Sequence, residues 1–108
     1  MGIAFLKLNM LNQIAIVGIL ESINRVDDFF YEIVIEVPRN FKDVTGGFKS
    51  DHITVKVWKG AADSVVADYA LGLLISIVGR IETDENKVIT LVGEKVDFLG
   101  RSSQFKRR

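Results

Sequence analysis

The stretch His52-Ile53-Thr54-Val55-Lys56-Val57-Trp58 alternates without a break between two kinds of side chain. Ile53, Val55 and Val57 fall on one side and His52, Thr54, Lys56 and Trp58 on the other, the period-two signature of a strand with one face on a core. The period then changes. Ala62, Val65, Val66 and Tyr69 are spaced i, i+3, i+4, i+7, the stripe of a short amphipathic helix. A half-buried strand that runs straight into a helix confines the chain to architectures in which sheet and helix share one core.

The remaining elements are strands. Val and Ile supply 25 of the 108 residues and come in short clusters separated by polar or Gly-containing stretches, as β-branched residues do in sheets. A first strand is predicted from about Leu11 to Leu20, with Gly18 marking a bulge or sharp bend. After a polar exit, Glu21 to Asp28, a second covers about Phe29 to Val37, with Tyr31, Ile33, Ile35 and Val37 on one face and Glu32, Val34 and Glu36 on the other. Pro38 is expected to end it. Residues 39 to 51 read as a loop or flexible hairpin around Thr45-Gly46-Gly47. Beyond the helix, with Asp63 near its start and Gly72 as its C′ residue, a fourth strand (Leu73 to Glu82) and a fifth (Lys87 to Leu99) flank the tight turn Thr83-Asp84-Glu85-Asn86.

Three strands, a helix and two strands in about 100 residues predict an all-β fold: a five-stranded Greek-key OB-fold barrel with its helix plugging one end between strands three and four. Residues 10–100 form this domain. Residues 1–9 precede it as an extension, and 101–108 are expected to be a basic, flexible tail.

Much chemistry is excluded. With no Cys there is no disulfide framework, thiolate zinc site or Cys nucleophile, and a reducing, cytoplasmic compartment fits. With one His there is no multi-His metal cluster, and no phosphate-cradling glycine loop ends in Lys-Ser or Lys-Thr. The adjacent carboxylates Asp27-Asp28 and Asp84-Glu85 lie in predicted turns, where solvated charge is far commoner than acid/base pairing. No enzyme activity, cofactor or metal is expected. No apolar run reaches the roughly 18 residues of a membrane span, and no membrane partner is expected.

The ring-bearing face of the third strand is therefore the feature that needs a purpose. A Trp in a strand is usually core or interface, yet the opposite face is wholly aliphatic and already supplies the core. Flat rings with interleaved cations suit single-stranded nucleic acid, whose bases stack and whose phosphates pair with Lys or Arg. Phe41, flanked by Arg39 and Lys42, repeats the pattern, and Phe48 is a second-rank candidate. The charge distribution agrees. The formal net charge is zero, but residues 39–59 carry five cations against two anions and residues 101–108 carry four cations and no anion.

Several segments together resemble the bacterial-type single-stranded DNA-binding proteins. Met10-Leu11-Asn12-Gln13-Ile14-Ala15-Ile16-Val17-Gly18 is similar to that family's opening strand, and Asp51-His52-Ile53-Thr54-Val55-Lys56-Val57-Trp58-Lys59 to its third. Gly72 to Thr83, with Gly79-Arg80-Ile81, is similar to the fourth, and Val96-Asp97-Phe98-Leu99-Gly100 to the close of the fifth. The resemblance implies non-sequence-specific binding of single-stranded DNA in replication, recombination or repair, at the nucleoid. Phe41, His52 and Trp58 would be the stacking platforms, and Arg39, Lys42, Lys49, Lys56 and Lys59 the phosphate ligands, with Arg80 as a further candidate. It also implies a homotetramer, or a homodimer built by pairing first strands.

The departures are specific. His52 stands where the family carries Trp or Phe, and Ile19 where it often has Arg or Lys. The family's long basic flap between strands four and five is replaced by a short acidic turn. Residues 101–108 do not resemble the family's glycine-rich linker and acidic tip, which recruit replication and repair proteins, but read Gln104-Phe105-Lys106-Arg107-Arg108 at their close, as is expected of a short form, a paralogue or a chain cut before its tail. Two other readings remain open: a primosome-type accessory module whose face binds a protein, and an aromatic face buried between subunits.

Overall fold

The computed structural model describes residues 10–67 and 72–101. Its elements are β1 (Ile14–Arg25), β2 (Phe30–Lys42), β3 (Phe48–Trp58), α1 (Lys59–Ala67), β4 (Leu73–Thr83) and β5 (Ile89–Arg101). The strands close into a barrel in the order β1-β2-β3-β5-β4. Neighbours are antiparallel except β3 and β5, whose parallel pairing is confined to Lys56↔Val92 and Val57↔Gly93. This is the OB-fold that the element order predicts. The expected extension, residues 1–9, and residues 102–108 of the expected tail lie outside the described residues, as does Tyr69 of the helical stripe. Arg101, expected to open the tail, is instead the last residue of β5, paired with Leu73.

The alternation in β3 decides which face is inside. Val55 and Val57 are fully buried, together with Ile33 and Ile35 of β2, Leu20 of β1 and Ile75 and Ile77 of β4. Ala62 of α1 is equally buried against this cluster, so the first turn of the helix caps the core. Each aliphatic side chain so removed from water stabilises the barrel by roughly 1.5–3 kcal/mol before the entropy of ordering it is counted.

Several boundaries differ from expectation. β1 does not end at Leu20 but runs through the expected polar exit to Arg25, because Ser22 to Arg25 pair with Val34 to Tyr31 of β2, and α1 starts at Lys59, which leaves Asp63 beyond its first turn. β1 begins at Ile14 rather than Leu11, because the Asn12 side chain takes over the ladder: its Nδ2 donates to Ile81 O at 2.7 Å and its Oδ1 accepts from Ile81 N at 2.9 Å. Pro38 does not end β2. The β1–β2 ladder has already stopped at Ile19↔Glu36, so the missing N–H falls where β2 has a partner on one side only, and the strand resumes at Lys42↔Phe48 after a register slip. The presumed loop over residues 39–51 thereby shrinks to Asp43–Gly47. There Asp43 Oδ1 accepts from the Thr45 and Gly47 amides and the Thr45 hydroxyl, which holds the Asp43 carboxyl below the usual carboxylate range.

Gly18 is required by close approach. A Cβ there would lie 2.5 Å from Ile35 Cγ2 and 2.6 Å from the Glu36 carbonyl oxygen. The expected bulge comes three residues later: the register slips between Leu20 and Ser22, leaving Glu21 as the extra residue.

Candidate nucleic-acid interface

The β2–β3 ribbon builds the surface in question. Its register pairs Phe30 with Trp58, Glu32 with Lys56, Val34 with Thr54, Glu36 with His52, and Lys42 with Phe48. Opposed residues share a face, so these ten side chains stand on the side of the ribbon away from Val55 and Val57.

Aromatic residues collect at both ends. At one, Trp58 and Phe29 are 57% and 65% exposed, Phe30, the cross-strand partner of Trp58, is half-buried, and Lys56 Nζ lies 4.3 Å from the Phe30 ring centroid. The Lys59 amide donates to Phe29 O at 2.8 Å, which ties the helix start to this cluster. Trp58 also leans over Gly60, where a Cβ would come within 2.2 Å of the indole. At the other end Phe41 and Phe48 are 66% and 56% exposed, with Lys42 Nζ 5.7 Å from the Phe48 centroid. Ten residue steps of extended β3 carry the chain from Phe48 to Trp58, a span of roughly 33 Å. Phe41 and Phe48 are thus strand residues on an open ribbon, which answers why apolar rings occur in so polar a stretch.

His52 lies between the two ends, exposed but engaged. Its Nδ1 is 2.6 Å from Glu21 Oε1 across the β1 bulge, and Glu36 and Asp51 flank it. The hydrogen bond and charge of Glu21, reinforced by Glu36 and Asp51, raise the imidazole above its ordinary value of 6.5. Because the folded value is the higher one, the pair's contribution to stability is complete below the unfolded pKa and is lost as pH rises through the folded pKa. A Glu21→Gln variant is therefore expected to lie below the wild type in thermal midpoint at acid pH and to converge on it as pH climbs past about 6.5. A gap that stays constant across that range would show the pair to be inert.

The predicted phosphate ligands divide into two groups. Arg39 is held by Asp51, with Nη2 2.8 Å from Oδ1 and Nε 3.2 Å from both carboxylate oxygens; this raises the guanidinium's pKa and lowers that of Asp51. Arg80 is clasped by Glu82 and Glu94 and is likewise raised. Lys49 Nζ lies 3.9 Å from Asp43. Lys42, Lys56 and Lys59 make no ion pair among the described residues. Phosphate can reach these three without displacing a carboxylate.

An open cleft of about 380 Å³ lies beside the Phe30–Trp58 end, lined by Val26, Glu32, Thr54, Lys56, Ile89, Thr90 and Leu91. Phe29, Phe30, Glu21 and this cleft escape sequence reasoning. Phe29-Phe30 next to Asp27-Asp28 was the available signal, since the Asp27 carboxylate accepts from both Phe amides and sets the turn that presents them. Among the described residues no group of three or more acidic or His side chains is placed to hold a metal, and no helix is long and apolar enough to cross a membrane.

The chain matches no protein-family model and no curated protein sequence. Solved structures do resemble it. The mitochondrial single-stranded DNA-binding protein Rim1 of S. cerevisiae superposes with a TM-score of 0.63 at 15% identity, covering 85% of this chain and 97% of Rim1. A small single-stranded DNA-binding protein from Mycoplasma pneumoniae gives 0.61 at 21%, covering 82% and 93%. The dimeric N-terminal domain of PriB from Thermoanaerobacter tencongensis gives 0.60 at 14%, covering 83% and 98%. At these identities the likeness establishes the shared barrel.

Proposed function

We propose that this protein binds single-stranded DNA along the outer face of the β2–β3 ribbon, in replication, recombination or repair. The observation that carries the reading is the pair of exposed aromatic groups at the two ends of one ribbon, each with a lysine beside its rings. Trp58 and Phe48 serve as stacking platforms on that face, with Phe29 beside Trp58 and Phe41 next to Lys42 at the ribbon tip, and Lys42, Lys56 and Lys59 meet the phosphates. His52 is a lesser platform because its imidazole is committed to Glu21. Arg39, Lys49 and Arg80 contribute only where DNA displaces Asp51, Asp43 or the two glutamates.

Assembly through β1 fits this reading. Ile14–Gly18 pairs with β4 on one side, while its pairing with β2 starts only at Ile19, so among the described residues the apolar first half of β1 keeps a free edge with Ala15 and Val17 exposed. Pairing of that edge with a second copy gives a dimer, and two dimers the homotetramer. The protein-binding alternative draws on Glu21, Glu32 and Glu36, which place negative charge on the same face, and on the likeness to a PriB domain.

One experiment separates these. Unlabelled oligonucleotide is titrated into the protein at two salt concentrations while Trp58 emission is followed, and the mass of the complex is measured with and without DNA. Quenching that weakens with salt, on an oligomer that retains its mass when loaded, is expected. Emission indifferent to DNA would overturn the proposal.

A further inference from the structure

The cleft beside Lys56 has the makings of a recognition site rather than a stacking surface. It opens where β5 leaves β3: the two strands pair at Lys56↔Val92 and Val57↔Gly93, while the cleft is lined by the residues just before, Thr54 on one side and Ile89, Thr90 and Leu91 on the other. Val26, Ile89 and Leu91 are apolar walls suited to the faces of a flat ring. Glu32, Thr54 and Thr90 supply polar atoms, and at about 380 Å³ the space suits a small planar heterocycle. Glu32 makes no ion pair among the described residues, although Lys56 is its cross-strand neighbour and rests its ammonium over Phe30. A carboxylate free on a surface meant for a polyanion repels phosphate, so its presence calls for a ligand group that donates hydrogen bonds.

Resting on the DNA-binding reading above, we propose that this cleft takes one unstacked nucleobase and that Glu32 selects bases bearing an exocyclic amino group. A carboxylate is acceptor-only. Cytosine offers its 4-amino protons to such a group, adenine its 6-amino protons, and guanine its ring N–H with the adjacent amino group. Thymine has a single ring N–H between two carbonyl oxygens, and a carboxylate approaching that N–H sets its lone pairs against both. Thymine is the base this cleft disfavours, while the stacking platforms at the ribbon ends accept any base.

The test compares oligo-dC with oligo-dT of equal length at neutral pH, for the wild type and for Glu32→Gln, by quenching of Trp58. Glu32 is exposed and the change is isosteric, so the fold is retained; matching urea midpoints verify this. The wild type is expected to bind dC about five- to tenfold more tightly than dT, the scale of one good base contact. In Glu32→Gln, whose amide both donates and accepts, the ratio falls towards one, chiefly because dT binds better. Quenching by both oligonucleotides with equal affinity in the wild type overturns the base selection and leaves DNA binding standing. A Glu32→Gln variant that strengthens both by the same factor overturns it too, since the carboxylate would then act only through its charge. Failure of both oligonucleotides to quench rejects the DNA-binding reading itself, and the cleft's role with it.

Discussion

Gly79→Ala is expected to cost the barrel about 3 kcal/mol or more, at or beyond the upper end of overpacking penalties. A Cβ at this position would sit 1.8 Å from the Val92 carbonyl oxygen, 2.8 Å from its carbon and 2.9 Å from Gly93 Cα. All three are backbone atoms, so no side chain can rotate away. Retreat of β5 is blocked as well. Gly79 faces Gly93 across β4–β5 and Ile14 across β1–β4, and Gly93 is itself one half of Val57↔Gly93, one of only two pairs that join β3 to β5 among the described residues. Moving β5 outward by the ångström or more that a methyl demands would break the closure of the barrel. Urea unfolding checks this, with Gly47→Ala as the control. Gly47 lies in the β2–β3 turn, its nearest Cβ neighbours would be 3.9 Å away, and the change should shift stability by no more than about 0.5 kcal/mol. Equal midpoints for Gly79→Ala and the wild type would show that closure does not depend on this close approach.

Trp58→Ala should weaken single-stranded DNA binding by roughly 1–3 kcal/mol, the worth of one base stacked on a ring, which is about 5- to 150-fold in affinity. The indole is more than half exposed, its cross-strand partner is Phe30, and Val57 beside it holds the core without it. Loss of the ring therefore removes a platform with little effect on the fold. Since the variant also removes the only Trp, anisotropy of a labelled oligonucleotide is the appropriate measurement. Phe41→Ala, at the far end of the ribbon, should add its own loss independently, because sites well beyond about 10 Å apart without shared partners are additive. Arg39→Ala, by contrast, should change affinity little, because that guanidinium already belongs to Asp51. A Trp58→Ala protein that binds as tightly as the wild type, with an unchanged urea midpoint, would place the DNA elsewhere or remove it altogether.

Fold and site differ in how far the sequence alone reveals them. The βββαββ order and the inward aliphatic face of β3 follow from periodicity alone, since an unbroken alternation of Ile53, Val55 and Val57 has only one way to meet a core. Trp58 could be picked out as exposed because its neighbours in sequence already satisfied that core, and Phe41 because Arg39 and Lys42 flank it. Arg39 and Asp51 stand 12 positions apart, and Arg80 and Glu94 are 14 apart, so nothing local reveals that they neutralise each other. His52 and Glu21 are 31 apart, and they meet only because a bulge in β1 adds one residue at that point.

Pattern and composition by themselves determined the strand order, the core face and the presence of an aromatic, cationic outer face, because side-chain period and β-branched clustering are local properties. The tertiary structure decided which cations remain available, where Phe29 and Phe30 join Trp58, and that Glu32 lines a cleft with three apolar walls. Those facts depend on register between strands and on the point at which β5 parts from β3. Register is set by barrel closure, with Gly18 and Gly79 allowing the backbones to approach, and closure is a property of the whole chain rather than of any segment.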